Sequence, residues 1–319
     1  MITDPLSRIF SMIKVKNLLS ARLEASGPWA MCFGPYPDLK FGGVIKGERW
    51  MWTENDPKPH HLNEGDFYLV RGGQRYYIAS DLNTQIVNGD TIFHHHLGVD
   101  GIVHYGEGPV TSIGAGGRFL FADRTANLLL DCLPPLLIIN GKSDHASSLR
   151  PLMDLINHET QSRRHGTEVM ADSLASMILM VMLRIYQSNK NQQNWLVALA
   201  DPKLTTVISS IHLNPQRRWS VAELAKLAGM SRTAFATHFK IQVGRAPLDY
   251  LTHWRMMIAS DALSHGSISL EDIAESIGYQ SASAFNAAFK RFHGVPPGQY
   301  RQRTQGFIQF IPESSWEVV

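Results

Sequence analysis

SVAELAKLAGMSRTAFATHFK, residues 220–240, and SLEDIAESIGYQSASAFNAAFK, residues 269–290, are two versions of one pattern. Each opens on a serine with an acid three residues later. Ser220 and Glu223 form a capping box, in which the hydroxyl accepts the third helical N–H and the Glu reaches back; Ser269 with Asp272 is a shorter variant. Apolar residues follow at i, i+3, i+4 and i+7: Val221, Leu224, Ala225 and Ala228, then Leu270, Ile273, Ala274 and Ile277. Gly229 and Gly278 end these helices, because glycine tolerates the left-handed conformation there. A second helix starts at Ser231 and at Ser281. From here the repeat keeps a spacing of 50, in Phe235 and Phe285, Phe239 and Phe289, Lys240 and Lys290, Gly244 and Gly294, Pro247 and Pro297, Tyr250 and Tyr300. Helix, glycine-containing turn, helix is the helix-turn-helix pattern. The second helix of such a unit fits a DNA major groove, about 12 Å wide.

The surroundings agree. A helix from Pro247 to His265 joins the two units, with Leu251, Trp254, Ile258 and Leu263 on its apolar side and Gly266 at its end. Residues 201–303 carry 12 Lys and Arg against 7 Asp and Glu, a net +5; residues 1–200 carry 18 against 19; the tail adds only Glu313 and Glu317. A basic block on a folded segment points to a polyanionic partner. The four phenylalanines of the repeat are assigned to its core.

The first 120 residues read differently. Gly27-Pro28, Gly34-Pro35, Gly42-Gly43, Gly72-Gly73 and Gly116-Gly117 separate short runs at 28–33, 48–53, 66–70, 75–79 and 101–105, which suggests an antiparallel sandwich or barrel. Trp50 and Trp52 fall on one face of their strand and Met51 on the other. After Asn127 the pattern reads as helical, with LLLDCLPPLLIIN broken at Pro134-Pro135. The strongest helix is 167–188, where Val169, Leu174, Met177, Ile178, Val181 and Ile185 recur at 3–4 spacing. It is apolar nearly all round, which calls for cover on several sides, in a core or a dimer interface. Its apolar run from Leu174 to Leu183 is too short for a bilayer. The N-terminus carries Asp4 and Pro5 and no apolar signal region, and the two cysteines, Cys32 and Cys132, make no disulfide framework, so a cytoplasmic location and no membrane association are expected.

Residues 204–303 resemble the DNA-binding domain of the AraC/XylS family of bacterial transcription regulators. The resemblance rests on the two quoted stretches, on VGRAPLDYLTHWRMMIASDAL, and on the continuation RFHGVPPGQYR. The preceding part resembles the cupin-type regulatory domain of one branch of that family, through DPLSRIFSMIKVKN, SGPWAMCF, LNEGDFYLVRGG, LLDCLPPLLIIN and the helix ending MLRIY. The fold class implied is α+β: a cupin-like β-barrel with trailing helices over 1–187, a linker over 188–200, an all-α domain of two helix-turn-helix units over 201–303, and a tail over 304–319. The function implied is a sequence-specific regulator, an activator in preference to a repressor. Its partners would be double-stranded promoter DNA, RNA polymerase, a small-molecule effector and a second copy of the chain.

By the same resemblance, the first recognition helix runs from Ser231 to Gln242 and the second from Ser281 to His293. Groove-facing positions are Arg232, Thr233, Ala236 and Thr237, then Ala282, Ser283, Asn286 and Ala287, with Ser281 at the helix start. Many relatives carry Arg where this chain has Thr237 and Ala287, so guanine reading by arginine is not expected there. Lys240, Lys290, Arg291, Arg232 and Arg255 are candidate phosphate contacts. Trp29, Trp50, Trp52, Tyr68, Tyr76 and Tyr77 are candidates to line an effector pocket inside the barrel, or simply to fill it.

The alternative is a metal-dependent cupin enzyme fused to a DNA-binding domain. The first cupin metal motif should fall near Phe41-Gly42-Gly43-Val44, which has no His; the second, from Gly65-Asp66, has Tyr76 and Tyr77 where its last His belongs. No metal, no cofactor and no catalysis are therefore expected. His94-His95-His96, with His60, His61 and His104, is the one loose end, since His94 and His96 would share a face if this segment were a strand. A repair alkyltransferase would need an activated thiol, and neither cysteine has an adjacent His or Arg.

Overall fold

The computed structural model describes residues 4–12, 15–121, 127–162, 165–188, 193–265 and 268–309. Gly266, expected to end the joining helix, and the tail beyond 309 lie outside them. The chain divides into two compact units. One comprises Val15–Phe121 and Leu133–Ile185. The other holds the described chain from Tyr186 to Gln309 together with two earlier helices, Pro5–Met12 and Asn127–Leu130. The helical unit thus draws in segments that the sequence reading groups with residues 1–187.

Among the described residues the first unit has eleven strands: β1 (Val15–Ser26), β2 (Ala30–Phe33), β3 (Leu39–Lys46), β4 (Arg49–Thr53), β5 (Asp56–Leu62), β6 (Phe67–Val70), β7 (Tyr76–Ala79), β8 (Val87–Asn88), β9 (Ile102–Tyr105), β10 (Val110–Phe121) and β11 (Leu136–Ile139). They form a six-stranded sheet in the order β11-β6-β3-β10-β1-β9 and a five-stranded sheet in the order β5-β4-β7-β2-β8. All five short runs picked out in the sequence are strands or contain one. Between the sheets lies one apolar core with Leu23, Trp29, Met31, Phe33, Met51, Tyr68, Tyr76, Ile78 and Val103. On β4 burial alternates, with Arg49, Met51 and Thr53 inward and Trp50 and Trp52 outward, as the period of two requires.

Three expectations need correcting. The run after Asn127 is only briefly helical: the helix stops at Leu130, ahead of Pro134-Pro135, and Leu136–Ile139 becomes the edge strand β11, antiparallel to β6 with Leu136 opposite Val70. A four-residue apolar run has no helical period of its own, so the unpaired edge of β6 decides. His94 and His95 sit on the helix Gly89–His95, capped by Asn88, and His96 is its C-cap, so the strand geometry invoked for a metal does not exist. Among the described residues no three His, Cys, Asp or Glu side chains gather to hold an ion.

The long helix is Thr167–Gln187, but its buried face is not the expected one. Ala171, Leu174, Ala175, Ile178, Leu179, Met182 and Leu183 are buried, while Val169 is 71% and Met177 52% exposed. A helix this apolar presents several credible stripes, and periodicity alone does not choose among them. At 21 residues it is also long and apolar enough to cross a membrane, unlike the run Leu174–Leu183 taken alone; that buried face is packed inside the protein.

Candidate nucleic-acid interface

The two repeats fold as the sequence pattern demands. In the first, the helix Val221–Leu227 is capped by Ser220: Glu223 N–H donates to the Ser220 hydroxyl at 3.2 Å, and Ser220 N–H donates to the Glu223 carboxylate at 2.8 Å. With Arg217 adding a bond at 2.9 Å, the Glu223 carboxyl is held down to about 2, the Ser220 bonds being the main cause. In the second, Asp272 N–H donates to Ser269 Oγ at 3.0 Å, and Ser269 donates its hydroxyl to the Asp272 side chain at 2.7 Å. The shorter Asp meets the hydroxyl, and no bond to the serine backbone is formed.

Both turns close alike. Gly229 at φ +65° and Gly278 at φ +82° follow the first helix of each unit. The next N–H donates back to the helix, Met230 to Ala225 at 3.0 Å and Tyr279 to Ala274 at 2.8 Å. The second turn is one residue longer, inserting Gln280 before the cap. Ser231 then caps Arg232–Val243 and Ser281 caps Ala282–His293, their hydroxyls accepting from Ala234 and Ala284 at 3.3 and 3.2 Å.

One side of each recognition helix is anchored in a core. Phe235, Phe239, Phe285 and Phe289 are fully buried, as expected. Phe239 packs edge-on against Tyr250 and Phe289 edge-on against Tyr300. Beneath the first unit, His212 is buried, stacks on Trp254 at 3.9 Å and shares a 2.8 Å hydrogen bond with the Tyr250 hydroxyl; burial pushes it down to about 3. The opposite side is open. Arg232, Thr233, Thr237 and Lys240 are exposed and Ala236 half-buried; Ser281, Ser283, Ala287, Lys290 and Arg291 are exposed, and Ala282 and Asn286 half-buried. Each helix therefore brings its expected residues onto one accessible face.

Arg255 does not join them. On the joining helix Pro247–His265, it donates to the carbonyls of Pro215 and Arg217 at 2.7 and 3.0 Å, and its guanidinium lies 5.9 Å from the Tyr279 ring. It ties the loop before the first unit to the turn of the second. Two exposed cations beside the first unit, Arg218 and Arg245, escaped the sequence reading; neither has an ion-pair partner among the described residues. Arg218 precedes the first unit, and Arg245 falls where the second unit has Val295, so the repeat pairs neither with a second cation.

The expected effector-pocket residues separate. Trp29, Tyr68 and Tyr76 are buried between the sheets. Trp50 and Trp52 lie on the outer face of β4, Trp50 against His61 at 4.7 Å and Trp52 stacked on Tyr77 at 5.2 Å.

A family profile described as cupin matches residues 4–187, and one described as a helix-turn-helix domain matches residues 224–303. A putative AraC-like transcription regulator of Streptomyces lividans is 36% identical over 301 residues, covering 94% of this chain and 98% of that protein. The transcriptional regulator AlkR of Acinetobacter baylyi is 29% identical over 315 residues, covering 94% and 100%. Among solved structures, the DNA-binding domain of AdpA in complex with a target DNA is 29% identical, covering 33% of this chain and 95% of that one, with a TM-score of 0.31.

Proposed function

Since the chain belongs to the AraC-type family of transcription regulators, with a cupin domain ahead of its helix-turn-helix domain, we propose that it is a sequence-specific regulator whose two recognition helices read successive major grooves. It is a regulator and not an enzyme. The observation that supports the two-groove reading is the matched exposure of the two helices: residues 233–240 and 283–290 share one order of buried and open positions. In this reading Arg232, Thr233, Ala236 and Thr237 meet the first half-site. Ser283, Asn286 and Ala287 meet the second, with Ser281 at its edge, and Lys240, Lys290 and Arg291 hold phosphates. In this reading the DNA-binding domain is the segment 201–303, preceded by 188–200, whose buried helix Trp195–Ala198 belongs to the same compact unit, and its last helix, Pro297–Gln309, runs on past 303. Binding-site selection followed by footprinting of the full chain tests this. Two protected half-sites about one helical turn apart are expected; a single protected groove would overturn it.

The remaining roles are an effector-sensing cupin domain over 1–187, self-association into a homodimer, activation through RNA polymerase, and action in the cytoplasm. The dimer is supported by the apolar stripe of Val169, Met170 and Met177 left open on the helix Thr167–Gln187. Met177→Glu with Val181→Glu should shift the chain from dimer to monomer in sedimentation velocity while leaving its circular dichroism unchanged. A wild type that is monomeric at micromolar concentration would remove this role.

A further inference from the structure

The core of the β unit holds a cation that no carboxylate meets. Arg49, first residue of β4, points inward with Met51 and is 2% exposed. Its guanidinium donates to the Ser112 hydroxyl at 2.9 Å and lies 5.5 Å from the Trp29 ring, while its Nε has no hydrogen-bond partner. Among the described residues no acid pairs with it. The facing sheet is cut back to make room: a Cβ on Gly114 would stand 2.4 Å from one Arg49 nitrogen, and a Cβ on Gly42 would stand 2.4 Å from the Tyr68 hydroxyl. Beside Arg49 lies a cavity of about 30 Å³ whose lining includes Lys40, Tyr68, Tyr76, Leu23 and Phe33.

A buried charge without a counter-ion is costly, and a folded protein meets that cost by pairing it. Burial pushes Arg49 below the usual arginine range and, together with Arg118, takes Lys40 down to about 7. Burial raises the Tyr68 and Tyr76 phenols, so both stay protonated as donors. The site therefore offers cationic and O–H donors around a space that admits a group of one or two heavy atoms beyond a water. We propose that this cavity binds a small monovalent anion, a halide or the carboxylate of a short organic acid, with Arg49 as its counter-ion. As a signal to the DNA-binding unit, the anion rests on the sensor role proposed above; as a binding site it does not.

The test uses the full chain. Thermal unfolding is followed against formate, acetate or bromide at constant ionic strength, and crystals soaked in bromide are examined for anomalous density. A saturable rise in Tm is expected, with bromide density within hydrogen-bond distance of the Arg49 guanidinium. In Arg49→Met, which removes the buried charge at similar volume, apparent affinity should fall about tenfold or more. A wild type whose Tm responds to none of the three anions, a Tm response to bromide with no bromide density at the Arg49 guanidinium, or an unchanged response in folded Arg49→Met would overturn the proposal. If Arg49→Met does not fold, the wild-type titration and the density decide. A response to formate and acetate without bromide assigns the site to carboxylates, and a response to all three to small anions in general. DNA affinity with and without formate is a separate reading: a bound anion that leaves it unchanged overturns the sensor role and leaves the site standing.

Discussion

The two helix-turn-helix units have the same spacing, caps and buried phenylalanines, yet they are held and faced differently. The first turn, at Gly229, is open around its glycine; the second, at Gly278, is pressed against the backbone of Gln216. The first unit stands over a fully buried histidine, whereas the histidines packed in the second, His253 on Phe292 and His293 on Phe289, are only half-buried. At the position where the first recognition helix has Ala236 the second has Asn286, and where the first has Ile241 the second has Arg291. Local pattern thus repeats where it forms a fold, and diverges where a unit meets its neighbours or its target.

The largest effect should come from the turns. Gly278→Ala must adopt φ +82° and also place a Cβ 2.3 Å from the Gln216 carbonyl oxygen, so the loop clamped by Arg255 has to move. A loss of roughly 3 kcal/mol or more is expected, from left-handed strain plus a backbone clash. Gly229→Ala meets nothing within 4 Å and carries the strain alone, about 1–2 kcal/mol. Denaturant unfolding of the two variants compares them directly, and equal losses would break the distinction between an open and a packed turn.

Acid should strain the packing beneath the first unit. His212 ionises near 3 in the folded chain against 6.5 in the unfolded one, because burial and then Arg8 oppose its charge. Its folded value is depressed, so the unfolded state binds more protons. Stability is full above pH 6.5 and declines, by an amount on the order of a few kcal/mol, as pH falls toward 3. His212→Phe keeps a ring against Trp254 and removes the titration. It should cost stability at pH 7.5, through the lost Tyr250 bond, and flatten the slope of stability between pH 6 and 4. An unchanged slope would assign the acid lability elsewhere.

What the sequence made legible was what depends on neighbours along the chain. Ser220 with Glu223, the i, i+3, i+4 runs and the glycine stops each act within one turn of helix, so both units could be placed almost to the residue. Arg255 was misread because its partners, the Pro215 and Arg217 carbonyls, are some 40 residues away and follow no spacing. The β unit was readable as strands but not as an interior. Leu136–Ile139 is a strand only because β6 offers an edge, and Arg49 looks like a surface charge in ERWMWT until Met51 fixes which face turns inward. The apolar stripe of Thr167–Gln187 failed for a related reason, since composition there permits several faces and packing selects one.

The base-reading difference is expected to be smaller. Asn286 can donate to and accept from adenine in the major groove, whereas Ala236 offers a methyl that suits thymine. Asn286→Ala should cost roughly 1–3 kcal/mol on the selected site and relax one or two base pairs of the second half-site only. Repeating the site selection on the variant checks it: an unchanged motif, or a change confined to the first half-site, would remove Asn286 as a base reader.

The smallest effect lies in the phosphate contacts, and it separates the units most finely. Lys240 and Lys290 occupy the same position, 50 residues apart, and both are exposed near the end of their helices. Beside Lys290 stands exposed Arg291; beside Lys240 stands Ile241, 48% exposed and uncharged. Each phosphate contact releases about 0.9 counterion, so its loss lowers the slope of log affinity against log salt by about 1 and weakens binding on all sequences alike. Lys240→Ala should therefore lower the slope by about 1, and Lys290→Ala with Arg291→Ala by about 2. Neither should alter the selected motif, because a phosphate contact carries no base information. Lys240 sits one turn from the Gly244 cap, where the helix carbonyls point outward, and Lys290 sits equally close to Gly294. The helix dipole thus stabilises both cations to the same degree, and it is Arg291 that should set the units apart. Slopes measured on one operator for the wild type and both variants decide it. Equal changes for the two would mean that Arg291 faces away from the DNA, and a shifted motif would mean that one of these cations reads a base.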